Sequence, residues 1–342
     1  MFKIRKLTAR ECWRLMGFTD DAYDSAERAG VSRTQLYKQA GNSIVVDVIY
    51  YIFKNLFRGE ERVSVNELFA GIGSQITALK RLGKEVEVVG ISEIDTYALK
   101  SYEAIHGEMR NYGDISKVEK LDYADFWTYS FPCTDISIAG KQRGLIQGET
   151  RSGLLYEVAR LLQKAIDNKE APKYLMLENV KNLASSKFAG QFNAWLKWLE
   201  ERGYNNYWQV LNAKEYGVPQ NRERVFVVSI RDDVDDGTFT FPIPVDSTKR
   251  LIDVMEAGID VQKEYGVHKE WVADLIEKMN KLDDGTIDKE KVIYQVIKEY
   301  NRGTKHQQDE LQSAYGVCRC IPAGTHGSTP HLLKTVYWSA EE

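Results

Sequence analysis

A chain of 342 residues with 43% hydrophobic and 28% charged residues has the composition of a globular protein and the length of one large domain plus a smaller one. No apolar run approaches the ~18 residues that cross a bilayer, and no signal-peptide core opens the chain, so a cytoplasmic protein with no membrane association is expected. The four cysteines, Cys12, Cys133, Cys318 and Cys320, are too few for a disulfide framework; Cys318 and Cys320 have no second pair with which to hold zinc, and no metal is expected. A net charge of -4 gives no global signal for nucleic acid, but such binding depends on a local basic face and not on the sum.

The first predicted element is a helix in TARECWRLMGF. Thr8 and Glu11 form a capping box, and Gly17 stops the apolar stripe of Trp13, Leu15 and Met16. The stretch that follows is polar and reads as loop. Residues 41–57, GNSIVVDVIYYIFKNLF, are dense enough in apolar positions for a buried helix, although the β-branched start leaves a strand open. RGEERVS, residues 58–64, reads as a linker.

Beyond it the pattern alternates. VSVNELF is a strand, AGIGS a glycine turn and QITALKRLG a helix; EVEVVGISEID is a second strand and TYALKSYEAIHG a second helix. DYADFWTYSFPC, KYLMLENV and RVFVVSIR continue the strands, with LLYEVARLLQKAI and AGQFNAWLKWLEERGY as helices. This is the signature of an α/β fold with a doubly wound, mostly parallel sheet. From about residue 232 the alternation stops. Residues 231–316 hold twelve basic against nineteen acidic residues, with a helix at HKEWVADLIEKMN and a turn at LDDGT, and read as a smaller appended domain. The tail GVCRCIPAGTHGSTPHLLK reads as loop with short strands.

Chemistry concentrates in the alternating part. In NELFAGIGS, Gly71 and Gly73 allow close backbone approach to a ligand at a helix N-terminus. Glu93 ends the next strand, where a carboxylate commonly holds ribose hydroxyls, and Asp114 is expected at a third strand-to-loop passage. A nucleoside-type cofactor fits, either NAD or S-adenosylmethionine, and the missing third glycine disfavours the dinucleotide; a purely structural turn is the plain alternative. Cys133 ends the fourth strand behind Pro132. Alone it is as well explained as a packed thiol. Glu178 and Asn179 end the next strand, and Gln220, Arg222 and Arg224 precede the one after, so a nucleophile, a carboxyl group and two arginines converge on one sheet edge.

These stretches resemble, motif by motif, the DNA (cytosine-5)-methyltransferase family. NELFAGIGS is similar to its cofactor turn, ISEID and GDIS to its ribose and adenine motifs, and FPCTDISIAGKQRG to its catalytic Pro-Cys motif and mobile loop; TRSGLLYEV, LENV and VPQNRERVF match the next three. The resemblance implies a methyltransferase fold and S-adenosylmethionine contacts at Phe69, Gly71, Gly73, Glu93, Ile94, Asp114, Ile115 and Pro132, joined by Asn42 and Ser43. It implies Cys133 as nucleophile, Glu178 on the base's ring nitrogen 3 and amino group, Arg224 on its 2-oxo group, and Arg222 orienting the site. Thr134 departs from the pattern, where glutamine is common.

The order is shuffled. The stretches resembling the family's last motifs, IRKLTARECWRLMGF and QLYKQAGNSIVVDVI, come first here, and the tail resembles what usually precedes them. A circular permutation is therefore expected, with residues 1–58 completing the catalytic domain, 59–231 the cofactor-binding core, 232–325 a target recognition domain and 326–342 a tail returning to the catalytic domain. Double-stranded DNA is the expected partner, with no obligatory protein partner; Lys141 and Arg143 are placed on a lid, and Arg302, Lys305, Arg319 and His326 as candidate DNA contacts. Transfer RNA as substrate, a catalytically silent DNA-binding homologue and an NAD-linked oxidoreductase are the alternatives.

Overall fold

The computed structural model of the chain describes residues 2–132, 136, 151–256, 270–283, 288–302, 310–321 and 334–338. It opens with strand β1 (Phe2–Lys6) and helix α1 (Ala9–Arg14). The capping box is formed: Glu11 N donates to Thr8 Oγ1 at 3.1 Å, and Thr8 N donates to the Glu11 carboxylate at 2.8 Å. The polar stretch expected as loop is instead two helices, α2 (Asp20–Arg28) and α3 (Arg33–Asn42). Each starts at a hydroxyl N-cap, Thr19 and Ser32, and each buries only a few side chains, Tyr23 and Ala26 in the first, Leu36 and Tyr37 in the second. That apolar stripe is too sparse to announce a helix by periodicity. α4 (Val46–Leu56) is the helical choice for the β-branched run, buried through Val46, Ile49, Ile52 and Phe53.

The alternating region follows as β2 (Arg62–Leu68), α5 (Ser74–Arg81), β3 (Glu85–Ser92), α6 (Thr96–His106), β4 (Phe126–Tyr129), α7 (Leu155–Asp167), β5 (Tyr174–Val180), α8 (Ala189–Glu200), β6 (Tyr204–Asn212), β7 (Gln220–Asn221) and β8 (Glu223–Arg231). Six strands form one sheet in the order β3-β2-β4-β5-β8-β6. β8 runs antiparallel to both neighbours, and the other neighbouring pairs are parallel. Strand β6 was not read from the sequence, because YNNYWQVLN is half exposed and its polar residues, Asn205, Asn206, Gln209 and Asn212, do not alternate with apolar ones. One face of the sheet packs on α4 and α5 through Val65, Phe126, Met176 and Val228; the other packs on α7 and α8 through Leu68, Trp127, Leu175 and Val227.

Helices α9 (Glu270–Leu282) and α10 (Lys289–Arg302) and the short strands β9 (Leu311–Ser313), β10 (Cys318–Arg319) and β11 (Lys334–Trp338) complete the described chain. α9 begins close to the predicted helix; α10 was not anticipated, and part of the predicted LDDGT turn lies outside the described residues. β1, β11 and β9 form a separate sheet, with Phe2 opposite Trp338 and Lys6 opposite Lys334. This sheet and the two helices share a small core of Ile4, Met279, Val292, Ile293, Val296, Leu311 and Val336. The opening strand thus belongs to the small sheet and not with the large one, because Ile4 finds its apolar partners there. Among the described residues no helix is long and apolar enough to cross a membrane.

The two units meet at a buried ion pair. Arg5 donates to both oxygens of Glu11, at 2.8 and 2.6 Å, and both side chains are almost wholly buried. Glu256 N donates to the same carboxylate at 2.7 Å, and Arg14 donates to the Val254 carbonyl at 3.0 Å. Removing one partner of such a pair leaves a buried charge uncompensated. Glu11→Ala is expected to lower stability by about 3–5 kcal/mol in urea denaturation, and adding Arg5→Met to recover part of that loss.

Candidate active site

The carboxyl ends of β2, β3, β4 and β5 share one edge of the large sheet, and antiparallel β8 begins at that edge. The reversed strand is what brings residues from its start, not its end, to the same place. An open acidic depression lined by Asp235, Asp236 and the start of β6 lies at the opposite edge, away from the glycine turn, Glu93 and Glu178.

The glycine turn leaves β2 through Phe69, whose φ of 60° is left-handed, then Gly71 at 59° and Gly73 at 80°. A non-glycine residue in that region carries a cost of about 1–2 kcal/mol, so the turn is held by its surroundings. At Gly73 a Cβ would come within 2.3 Å of the His106 ring, so only glycine fits; at Gly71 the space is open. Glu93 closes the turn: Gly71 N donates to its Oε2 at 2.8 Å, and Ile94 N and Asp95 N donate to its Oε1 at 2.8 and 2.7 Å. Burial nevertheless holds this carboxyl above its ordinary range. A carboxylate has about four acceptor positions, so three amides leave room for one hydroxyl.

Beside it Ile94 is an apolar side chain left 71% exposed. Asn111 ties the neighbouring loop to the end of β3, accepting from Glu93 N at 3.1 Å and Gly113 N at 2.9 Å. That loop sets Asp114 and buried Ile115 at the same edge. Asp114 caps a short 3-10 turn and does not end a strand as expected; its Oδ1 accepts from Ser116 N and Oγ, which holds the carboxylate below its ordinary range. A positive-φ glycine turn, a carboxylate at the end of β3, a second in the loop beyond and an exposed apolar side chain suit a ribose and a base, and so fit S-adenosylmethionine.

On the other side of the edge, Glu178 lies opposite Phe226 in the β5–β8 ladder, and Arg224 is two residues before Phe226 on the same face. Arg224 Nε stands 3.2 Å from Glu178 Oε1. Glu178 is 7% exposed, and burial keeps its carboxyl above the usual range although Arg224 and Arg222 both pull it down. Arg222 does something else. Its Nη2 donates to the carbonyls of Gly41 and Ser43 at 3.0 and 2.8 Å, and its Nη1 to the carbonyl of Ile321 at 3.3 Å. It therefore positions the Gly41–Ser43 corner and the tail, leaving Asn42 exposed and Ser43 buried, and supports the site from behind. Gln220 does the same, donating to the Leu15 carbonyl at 2.8 Å and accepting from Ile321 N at 3.1 Å.

Cys133, Lys141, Arg143, Lys305 and His326 lie outside the described residues. The segment on either side of Cys133 is gripped by β5 and the turn after it: Asn179 donates to the Phe131 carbonyl at 3.1 Å and Asn182 to the Ile136 carbonyl at 2.5 Å. Asn182 was missed from sequence; its signal is its place three residues beyond Asn179. Pro132, at the exit of β4, keeps its expected place. Of the candidate DNA contacts, Arg302 ends α10 exposed, whereas Arg319 sits in β10, ion-paired to Glu310 and opposite Asn221 of β7, just before the start of β8 at the sheet edge.

The family model for C-5 cytosine-specific DNA methylase matches residues 1–58 and 63–330. The type II methyltransferase M2.ScrFI of Lactococcus lactis subsp. cremoris is 39% identical over 251 residues, 57% of this chain and 68% of that protein. The orphan methyltransferase M.Rho11sI of Bacillus phage rho11s is 38% identical over 177 residues, 51% of this chain and 34% of that protein, so the aligned part spans about a third of the phage relative. Among solved structures, the S. pombe Dnmt2 methyltransferase matches with a TM-score of 0.48 at 18% identity, covering 76% of this chain and 71% of that one.

Beneath the glycine turn, Glu67 accepts from Tyr102 Oη at 3.0 Å, its Oε1 has no partner among the described residues, and burial pushes its carboxyl up from 4.5 to about 8. Since the folded value lies above the unfolded one, its stabilising share is fully present below about 4.5 and is lost as pH rises through about 8. Thermal denaturation from pH 5 to 8 is expected to show this decline in the native protein and a flatter profile in Glu67→Gln.

Proposed function

The chain belongs to the C-5 cytosine-specific DNA methylase family, and from that premise we propose that it methylates carbon 5 of cytosine within a specific duplex DNA sequence, through a covalent adduct of Cys133 with a flipped-out base. The observation that carries the reading is the buried Glu178–Arg224 pair, set at the same sheet edge as the glycine turn and the Glu93 carboxylate. S-adenosylmethionine, the family's cofactor, supplies an electrophilic methyl group when bound. Glu93 would hold its ribose, Asp114 its adenine amino group, and Phe69, Ile94 and Ile115 its apolar faces.

The residue types follow from the chemistry. Carbon 5 of cytosine is a poor nucleophile. Addition of the Cys133 thiolate to carbon 6 moves electron density toward ring nitrogen 3 and carbon 5, and turns the latter into an enamine carbon. Glu178 meets nitrogen 3 and the amino group. Its raised carboxyl favours the protonated form, which lets it donate to nitrogen 3 as charge develops there. Arg224 contacts the 2-oxo group and keeps Glu178 from losing its orientation. After carbon 5 has taken the methyl group, loss of its proton expels the cysteine. Flipping costs a few kcal/mol, offset by contacts to the base and its phosphates. Lys141 and Arg143, on the glycine-bearing segment after Cys133, are the candidates for those phosphates.

The chain order reads as a circular permutation. Two observations support it: the family model matches in two blocks that part between residues 58 and 63, and β1 pairs antiparallel with β11, so strands near the two ends are neighbours. The small unit of α9, α10 and the β1-β11-β9 sheet is the candidate recognition domain.

Transfer of labelled methyl from S-adenosylmethionine to unmethylated duplex DNA, run beside transfer RNA, tests the reading. Label is expected in DNA, and Cys133→Ala is expected to abolish it while S-adenosylmethionine still binds. Glu178→Gln should lower kcat by roughly 10²–10⁴-fold with little change in cofactor affinity. Label in RNA alone would overturn the DNA assignment.

A further inference from the structure

Cys320 sits in a setting that the C-x-C pattern does not reveal. Cys318 is wholly buried, and burial pushes its thiol well up. Cys320 is partly exposed and lies against two guanidinium groups: Arg222 Nη1 donates to its Sγ at 3.3 Å and Arg224 Nη2 at 3.8 Å. The groups facing it are therefore Arg222 and Arg224, with Glu178 beyond Arg224 and Cys318 along the strand. Burial opposes its ionisation, but the two arginines outweigh burial and hold the thiol below its ordinary range. A second observation points the same way. Arg222 is 4% exposed, and its Nε has no acceptor among the described residues, so the cluster carries more donors than acceptors. An oxygen added at sulfur would supply one.

We propose that Cys320 is a second reactive thiol of this protein, a modification site at which hydroperoxides and soft alkylating agents add to the sulfur beside the Glu178–Arg224 pair. With hydrogen peroxide the thiolate attacks one oxygen, the O–O bond breaks, the sulfur is oxidised to a sulfenic acid and the departing hydroxide takes a proton to leave as water. With iodoacetamide an S–C bond forms and iodide leaves. Reactivity of this kind follows thiolate character together with access, and Cys320 has both where Cys12 and Cys318 have neither.

The test is competitive labelling of the whole chain with limiting iodoacetamide near neutral pH, read at each cysteine by peptide mass spectrometry. A parallel arm uses hydrogen peroxide with dimedone to trap sulfenic acid. Cys320 is expected to label at least about tenfold faster than Cys12 and Cys318 in both arms. Arg224→Ala should slow Cys320 by about threefold or more, and Arg224→Lys, which keeps the charge, should recover part of the rate. Cys320 reacting no faster than the two buried thiols, or at an unchanged rate in Arg224→Ala, would overturn the proposal. The readout needs no DNA, so its failure is distinct from failure of the methyltransferase reading.

Discussion

The site depends on one buried guanidinium. Arg222 reaches the carbonyls of Gly41 and Ser43 with one nitrogen and that of Ile321 with another. These three carbonyls come from segments about 180 and 100 residues away in the chain. A buried carbonyl without a donor is costly, and so is a buried guanidinium without acceptors. Each solves the other's problem, and the outcome is that α3, the start of β8 and the tail can meet in only one arrangement. Arg224 inherits that arrangement. It is two residues on along the chain, at the start of β8, and so is delivered to Glu178.

The same economy operates at the cofactor edge. Glu93 is buried enough to resist ionisation, yet three backbone amides converge on it. Those amides belong to the glycine turn and to the entry of α6, so the carboxylate joins the two loops. A turn that passes through positive φ at Phe69, Gly71 and Gly73 has little stability of its own. Glu93 from one side, and His106 and Tyr102 packed under Gly73 from the other, over-determine it.

What the sequence disclosed, and what it withheld, divides along physical lines. The parallel strands were legible because burial on both faces makes them continuous apolar runs, as in FWTY and YLMLENV. The glycine turn, Glu93, Glu178 and Arg224 were legible because their residue types stand at strand ends, where the fold class puts ligands. β6 was hidden because an edge strand is half solvated, and α2 and α3 were hidden because a helix that buries three or four side chains has almost no stripe. Arg222 was legible as a site residue but not as a post for backbone carbonyls, since local sequence says nothing about which distant carbonyls lack donors. The surroundings of Cys320 were hidden for the same reason: its neighbours along the chain are ordinary, and its neighbours in space are two arginines.

The reversed strand connects these points to the chain order proposed above. If β8 ran parallel to β5, its leading residue Arg224, and Gln220 and Arg222 just before the strand, would lie at the far edge of the sheet, with no reach to Glu178. Running antiparallel, β8 starts at the ligand edge, so Arg224 meets Glu178 there, and Gln220 and Arg222 come just before it along the chain. Gln220 then takes hold of Leu15 and Ile321, and Arg222 of Gly41, Ser43 and Ile321. Segments from near both ends of the chain are thus fastened to one short stretch by side-chain hydrogen bonds, not by covalent succession. A site assembled this way is indifferent to where the chain is cut, provided the cut falls away from the stretch that does the fastening. The β1–β11 pairing lies in the separate small sheet, and the linker before β2 lies at the opposite end of the strand from the glycine turn. Both joints of the proposed permutation are therefore remote from the residues that hold the site, which is the physical condition under which motifs can change order and keep their geometry.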